Sequence, residues 1–197
     1  MRKQPKQQRA KELVNRVLHA TEQYIAEHGL KELTTPKISE QSGVGVGSIY
    51  QYFNNKQEIV EYLLEQKSHE LGQALKEYVL SHQSPQLDVL IESAISFGFE
   101  QMQANNGFYT EIVRNLHQLD TQKAMDILHA HFFELWVFVF SKFYAGSAPE
   151  RISIKAFVII NSTLYTMMSY CSQSPDMFSE TELKQELTSM VLNYINA

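Results

Sequence analysis

Thr34-Thr35-Pro36-Lys37-Ile38-Ser39-Glu40-Gln41-Ser42-Gly43-Val44-Gly45-Val46-Gly47-Ser48-Ile49-Tyr50-Gln51-Tyr52-Phe53-Asn54-Asn55-Lys56 reads as two short helices joined by a tight turn. Thr35 is a good N-cap, and Pro36 suits the first helical position because its missing N–H would have no helical partner there. Ile38 points the first helix into a core, and Ser39 is small enough to let a second helix cross close by. Gly43 ends that helix where a left-handed residue is wanted, and Val44 plugs the turn. In the second helix Ile49 and Phe53 are four apart and share a buried face. The opposite face carries Val46, Gly47, Ser48, Tyr50, Gln51 and Tyr52. The pattern predicts a helix-turn-helix whose second helix presents polar and aromatic groups outward, the geometry of an element lying in the DNA major groove.

The residue types fit that chemistry. Thr35 and Lys37 sit at the start of the first motif helix, where backbone N–H groups and an ammonium meet phosphate. Tyr50 and Tyr52 carry hydroxyls able to donate to phosphate oxygen. Val46, Gly47, Ser48 and Gln51 are placed for base edges: Gln51 matches adenine N6/N7, and Val46 a thymine methyl. Glycines at 45 and 47 reduce side-chain readout, which shifts weight to groove shape and phosphate contact. Lys56, opening the following helix, completes the candidate set.

Thr34-Thr35, Ile38, Gly43-Val44, Gly47-Ser48-Ile49-Tyr50, Tyr52-Phe53 and Lys56 together resemble the signature of the TetR family of transcriptional regulators. The upstream segment with Ala20, Tyr24, Ile25 and Gly29 resembles it too, so the motif-bearing match covers roughly residues 10–64. Two positions depart: Gly45 replaces the usual Ser or Thr cap, and Ser42 replaces the usual Ala. The resemblance implies that Tyr50, Tyr52 and Lys56 clamp the DNA backbone. It also implies an all-α chain with an N-terminal three-helix helix-turn-helix DNA-binding domain and a C-terminal helical ligand-binding and dimerisation domain. The expected division is 1–56, with a connecting helix over about 56–80, and 57–197. The expected partners are a double-stranded DNA operator, palindromic to match a homodimer, and a small effector.

Composition is compatible. The 197 residues suffice for one or two domains. Net charge is −5, but residues 1–56 hold 9 Lys and Arg against 5 Asp and Glu, while the remainder holds 8 against 17. Basic charge therefore gathers beside the motif, as phosphate contact requires. The basic residues 1–8 are expected to be mobile, an arm for the minor groove or a frayed end. The single Cys171 makes no disulfide within the chain and suits a reducing cytoplasm. No CxxC or clustered Cys/His predicts a metal site, and no cofactor is expected. The longest apolar run, around 132–140, is broken by Glu134 and is shorter than the roughly 20 residues a bilayer span needs, so no membrane association is expected.

Helical spacing continues along the chain. Helices are predicted over about 9–28, 56–80, 85–104, 108–117, 121–144, from Ser147 to about Cys171, and 180–195. Ser84-Pro85 caps one of them, Asn105-Asn106-Gly107 makes a turn, and Ser174-Pro175 breaks another. Gly72 marks a bend or a close helix contact. From Phe132 onward the helix over 121–144 is apolar nearly all round and is expected to be central. Ala156, Ile160, Thr163, Met167 and Tyr170 share one face, and Leu183, Leu187, Met190 and Tyr194 another; they are expected to pair two copies, or else to pack within one.

Phe99, Met102, Phe108, Tyr109, His131, Glu134, Trp136, Asn161, Tyr165 and Met168 mix aromatic, thioether and a few polar groups. They are candidates to line a cavity for an apolar, aromatic or cationic molecule, Glu134 serving a cation as counter-ion. Alternatives are a regulator without an effector, marked by a filled C-terminal core, and a helical enzyme. For the enzyme no nucleophile–base pair and no phosphate loop is present in the sequence.

Overall fold

The computed structural model describes residues 7–81, 86–104, 107–144, 152–173 and 176–196. Among them every regular element is helical: α1 (Gln8–His28), α2 (Thr35–Ser42), α3 (Val46–Tyr50), α4 (Lys56–Ser81), α5 (Leu87–Gln103), α6 (Phe108–Arg114) with a 3-10 turn at Leu116–Gln118, α7 (Gln122–Phe143), α8 (Ile152–Gln173) and α9 (Glu180–Asn196). The all-α expectation is met. The basic arm through residue 6, the Ser84-Pro85 cap, the Asn105-Asn106 pair, the Ser147 start and the Ser174-Pro175 break lie outside the described residues.

Local chemistry explains the helix ends. Thr34, not Thr35, caps α2: its hydroxyl accepts from the Lys37 N–H at 3.4 Å. Pro36 therefore sits one position deeper in the first turn than expected. Gly43 closes α2 in the left-handed region, φ 66°. Asn55 Oδ1 accepts from the Glu58 N–H at 2.8 Å, and Glu58 in return accepts from the Asn54 N–H. At α9 the Ser179 Oγ accepts from the Glu182 N–H at 3.2 Å, while Glu182 Oε2 accepts from the Ser179 N–H at 2.7 Å. This is the reciprocal arrangement that the Ser-x-x-Glu spacing predicts.

The chain forms two compact units, residues 1–67 with 104–124, and 68–103 with 125–197. Helices α4 and α7 each contribute to both. The first unit has a core of Val17, Ile25, Leu33, Ile38, Val44, Ile49, Phe53, Ile59 and Val60, joined by Phe108 and Ile112 of α6. Its segments are tied by polar contacts as well. Glu111 Oε1 accepts from the Leu30 N–H at 3.0 Å and from Asn115 Nδ2 at 2.9 Å. Lys67 Nζ meets Glu22 at 2.9 Å, which accounts for a lysine within the apolar stripe of α4.

In the second unit α8 and α9 pack on α5. Two glycines mark close approaches. A Cβ on Gly72 would lie 2.4 Å from the His131 ring, so Gly72 is a helix contact. A Cβ on Gly98 would lie 2.5 Å from Met167 Cε.

The faces expected to pair two copies are largely spent inside this unit: Ala156, Ile160, Met167 and Leu187 are buried, and only Met190 of the set is exposed. The physical reason is that α8 and α9 pack on α5 and on each other. The opposite stripe of α8 is outward instead, with Ile154 and Phe157 63% and 65% exposed and Val158 and Tyr165 beside them. Nor is α7 enclosed all round, since Phe133, Val137 and Phe138 are exposed. Read along each helix rather than by its longest unbroken run, α7 and α8 are long and apolar enough to cross a membrane by length and composition alone, with a mean hydropathy of 1.2 in each. Core helices of globular domains have the same length and composition.

Candidate nucleic-acid interface and cavity

The motif is built as its residue types dictate. Ile38, Val44, Ile49 and Phe53 are at most 3% exposed and anchor α2, the turn and α3 from beneath. Ser39 Oγ donates to the Val44 carbonyl at 2.7 Å, and the Val44 N–H donates to Ser42 Oγ at 3.2 Å, fixing the turn. Gly45 precedes α3 with no side-chain cap bond. Nine residues connect the Thr34 cap to the Val44 plug.

What remains outward is the surface of α3. Gly47, Tyr50 and Gln51 are exposed, Tyr50 by 44%. Val46, Ser48 and Tyr52 are half-buried, Tyr52 resting on the core. A Cβ on Gly45 or Gly47 would meet no atom within 4 Å, and neither glycine has a positive φ. The fold therefore does not require glycine at these positions. Their bareness leaves room for another molecule to approach the α3 backbone.

The other predicted contacts are differently placed. Thr35 is buried, because the cap has passed to Thr34 and Thr35 turns inward. Lys37 is half-buried; its Nζ donates to the Glu32 carbonyl at 3.1 Å, lies 3.6 Å from the Glu32 carboxylate and sits 5.3 Å from the Tyr24 ring centre. Hydrogen bonding to Tyr24, and behind it the charges of Tyr24 and Glu32, hold the ammonium above the ordinary lysine pKa against a lowering by burial. Lys56 Nζ donates to the Leu33 carbonyl at 2.7 Å and so ties the first turn of α4 to the loop before α2. Both ammonium groups are held at the border of the motif.

The second unit contains a partly open apolar pocket of about 140 Å³. Leu71, Leu75 and Val79 of α4 form one wall; Met102, Trp136 and Leu164 stand among the rest. Of the predicted ligand residues, Met102 lines it, as does Trp136. Phe99 is fully buried beside it, edge-on to Tyr170. Met168 is buried and Asn161 donates to the Phe157 carbonyl at 2.8 Å; neither lines the cavity.

His131 stacks edge-on with His69, their nitrogens 3.3 Å apart. Glu134 is on the surface, 3.3 Å from Lys76, and is no counter-ion for a cation in the cavity. Tyr165 is 53% exposed. Tyr109 and Phe108 belong to the first unit. The α4 wall and Thr163 were missed as lining. Their helical spacing is visible in the sequence, but a void beside them is not.

A buried scaffold presenting a short exposed helix of small and aromatic residues is a helix-turn-helix DNA-binding element. Residues 17–63 match the model of the bacterial regulatory proteins of the tetR family. An uncharacterised HTH-type regulator of Haemophilus influenzae is 36% identical over 50 residues, 25% of this chain and 27% of that one. The match thus spans about a quarter of that relative's length. The transcriptional repressor KstR2 of Rhodococcus jostii is 25% identical over 174 residues, 86% of this chain and 84% of its own.

Among solved structures, the fatty acid degradation regulator FadR of Bacillus halodurans superposes with a TM-score of 0.67 at 18% identity, covering 98% and 97% of the two chains. FadR of Bacillus subtilis, solved with stearoyl-CoA, gives 0.62 at 16% identity, covering 92% and 96%. The structural likenesses show a shared fold. The helix-turn-helix region of this chain is therefore similar to that of the tetR family regulators, and the whole chain shares their fold.

Proposed function

We propose that this chain is a ligand-responsive repressor that binds a palindromic operator as a dimer in the cytoplasm, without enzymatic activity, cofactor or membrane. In this reading residues 1–56 contact DNA, through Val46, Gly47, Ser48 and Gln51 at base edges and Lys37, Tyr50, Tyr52 and Lys56 at the phosphates. Residues 57–197 hold the effector and the partner copy. The observation that carries the DNA reading is the exposed α3 surface, bare at Gly45 and Gly47 over a fully buried support.

The cavity supports an effector and argues against a filled, effector-free core. Its wall includes Leu71, Leu75 and Val79 of the helix that begins at Lys56. A ligand pressing on that wall acts on the element that carries the Lys56–Leu33 tie. Ligand and operator then favour different positions of α4, which is the coupling that releases DNA. The Bacillus subtilis FadR structure contains an acyl-CoA, a precedent for an apolar effector on this fold. For the dimer, the outward stripe of Ile154, Phe157, Val158 and Tyr165 suits an isologous contact with its own copy.

The test is a mobility shift of the purified protein on DNA flanking its own gene across a salt series, followed by random-site selection. A specific shift with a steep salt slope, lost in Tyr50→Ala with Lys56→Ala, supports the reading. No selected sequence in either experiment would overturn it. Light scattering of Phe157→Glu reports the dimer: a monomer is expected, and an unchanged mass removes α8 from the interface.

A further inference from the structure

We infer that the cavity of the second unit takes an uncharged, largely hydrocarbon ligand of about the size of one six-membered ring, anchored by a single hydrogen bond to the Thr163 hydroxyl. The inference rests on the effector reading above and names the chemistry of that site.

The lining decides the charge. Its residues are aliphatic, aromatic or thioether, with Gly98; Thr163 supplies the one hydroxyl and Trp136 an indole N–H. No ionisable side chain is among them. Bringing an ammonium or carboxylate into such a space without a partner costs several kcal/mol or more, enough to exclude it at ordinary concentrations. Glu134 and Lys76, each next to a lining residue in sequence, already satisfy one another at the surface.

Thr163 decides the polar group. A helical threonine usually satisfies its hydroxyl on the carbonyl four residues back, and two others here do: Thr21 Oγ1 donates to the Val17 carbonyl and Thr188 Oγ1 to the Lys184 carbonyl, both at 2.8 Å. Thr163 Oγ1 is buried and has no hydrogen-bond partner among the described residues. A lone water is a poor substitute, because a buried water makes two to four hydrogen bonds and this lining offers, beside the Thr163 hydroxyl, only the Trp136 N–H. An oxygen on an otherwise apolar ligand meets the demand without leaving other polar groups stranded. The 140 Å³ inside the pocket holds one such ring, being close to the roughly 150 Å³ at which an apolar cavity accepts benzene. Met102 and Met167, both in the lining, give it some adaptability.

Trp136 is the chain's single tryptophan and lines the cavity, so its fluorescence reports occupancy directly. The full-length protein, without DNA, is titrated with four non-absorbing probes: cyclohexanol, cyclohexane, cyclohexylammonium and cyclohexanecarboxylate. Cyclohexanol is expected to bind saturably, and the two ions at least about tenfold more weakly. Thr163→Val is expected to weaken cyclohexanol by about threefold to tenfold, one net hydrogen bond, with cyclohexane unchanged. Thr163→Ser, which keeps the hydroxyl, is expected to retain cyclohexanol affinity.

Equal or tighter binding of either ion overturns the inference. So does a Thr163→Val effect that is absent or identical for cyclohexanol and cyclohexane, or the lack of saturable binding by any probe. The wild-type series decides the charge question even if a variant fails to fold. Cyclohexanol binding that leaves operator affinity untouched would instead count against the repressor mechanism and spare this assignment.

Discussion

Gly47→Ala separates folding from DNA binding with one methyl group. Gly47 is the second residue of α3, its φ is not positive, and a Cβ there meets nothing within 4 Å. An exposed helical glycine costs up to about 1 kcal/mol relative to alanine. In the first turn of a five-residue helix about half of that is expected back, so the variant is more stable by about 0.5 kcal/mol, or roughly 1–2 °C in Tm for a chain of this size. If the bare backbone serves close approach to the groove, the same methyl holds the duplex away, and operator affinity falls at least about tenfold, which is 1.4 kcal/mol.

Thermal melting and fluorescence anisotropy with labelled operator read the two effects. Gly43→Ala is the control: its φ of 66° disfavours a side chain, so it loses stability by about 1 kcal/mol. Unchanged operator affinity in Gly47→Ala would refute the argument, and so would a loss of stability there.

Other consequences are equally direct. Glu111→Ala removes the acceptor shared by the Leu30 N–H and Asn115; a loss of about 1–2 kcal/mol in urea unfolding is expected, from an amide left unpaired. Hydrogen bonds from the Ser179 N–H and hydroxyl hold the Glu182 carboxyl below the usual carboxylate range. Its contribution to stability is therefore complete above the unfolded value and is lost as pH falls through the lower folded value. Glu182→Gln should flatten that acid limb when stability is measured against pH. Burial, and then the charge of Glu180, push the Cys171 thiol up. Alkylation by iodoacetamide near pH 8 should run well below the rate of a free cysteine and rise to it in urea.

Much of the fold is local, and local chemistry is legible. The left-handed Gly43, the buried pair Ile49 and Phe53, the Asn55 cap and the Ser179–Glu182 reciprocity each depend on residues within a turn or two. Sequence spacing specifies such interactions because the helix itself brings the partners together. The helices followed from periodicity for the same reason. Even so, the α2 cap lay one residue earlier than the spacing suggested, since Thr34 and Thr35 offer the same hydroxyl and only the path of the chain chooses between them.

Tertiary structure decided what periodicity leaves open. An apolar stripe must be buried, but its spacing does not say against what: α8 packs on α5 with Ala156, Ile160 and Met167 buried, and leaves Ile154 and Phe157 outward. Lys56 bonds a carbonyl 23 residues away, Glu134 a lysine 58 residues away, and neither distance is written in a motif. The cavity is the clearest case. Leu71, Leu75, Trp136 and Thr163 are unexceptional core residues in the sequence, and they become a site because helices from distant parts of the chain meet there without quite filling the space between them.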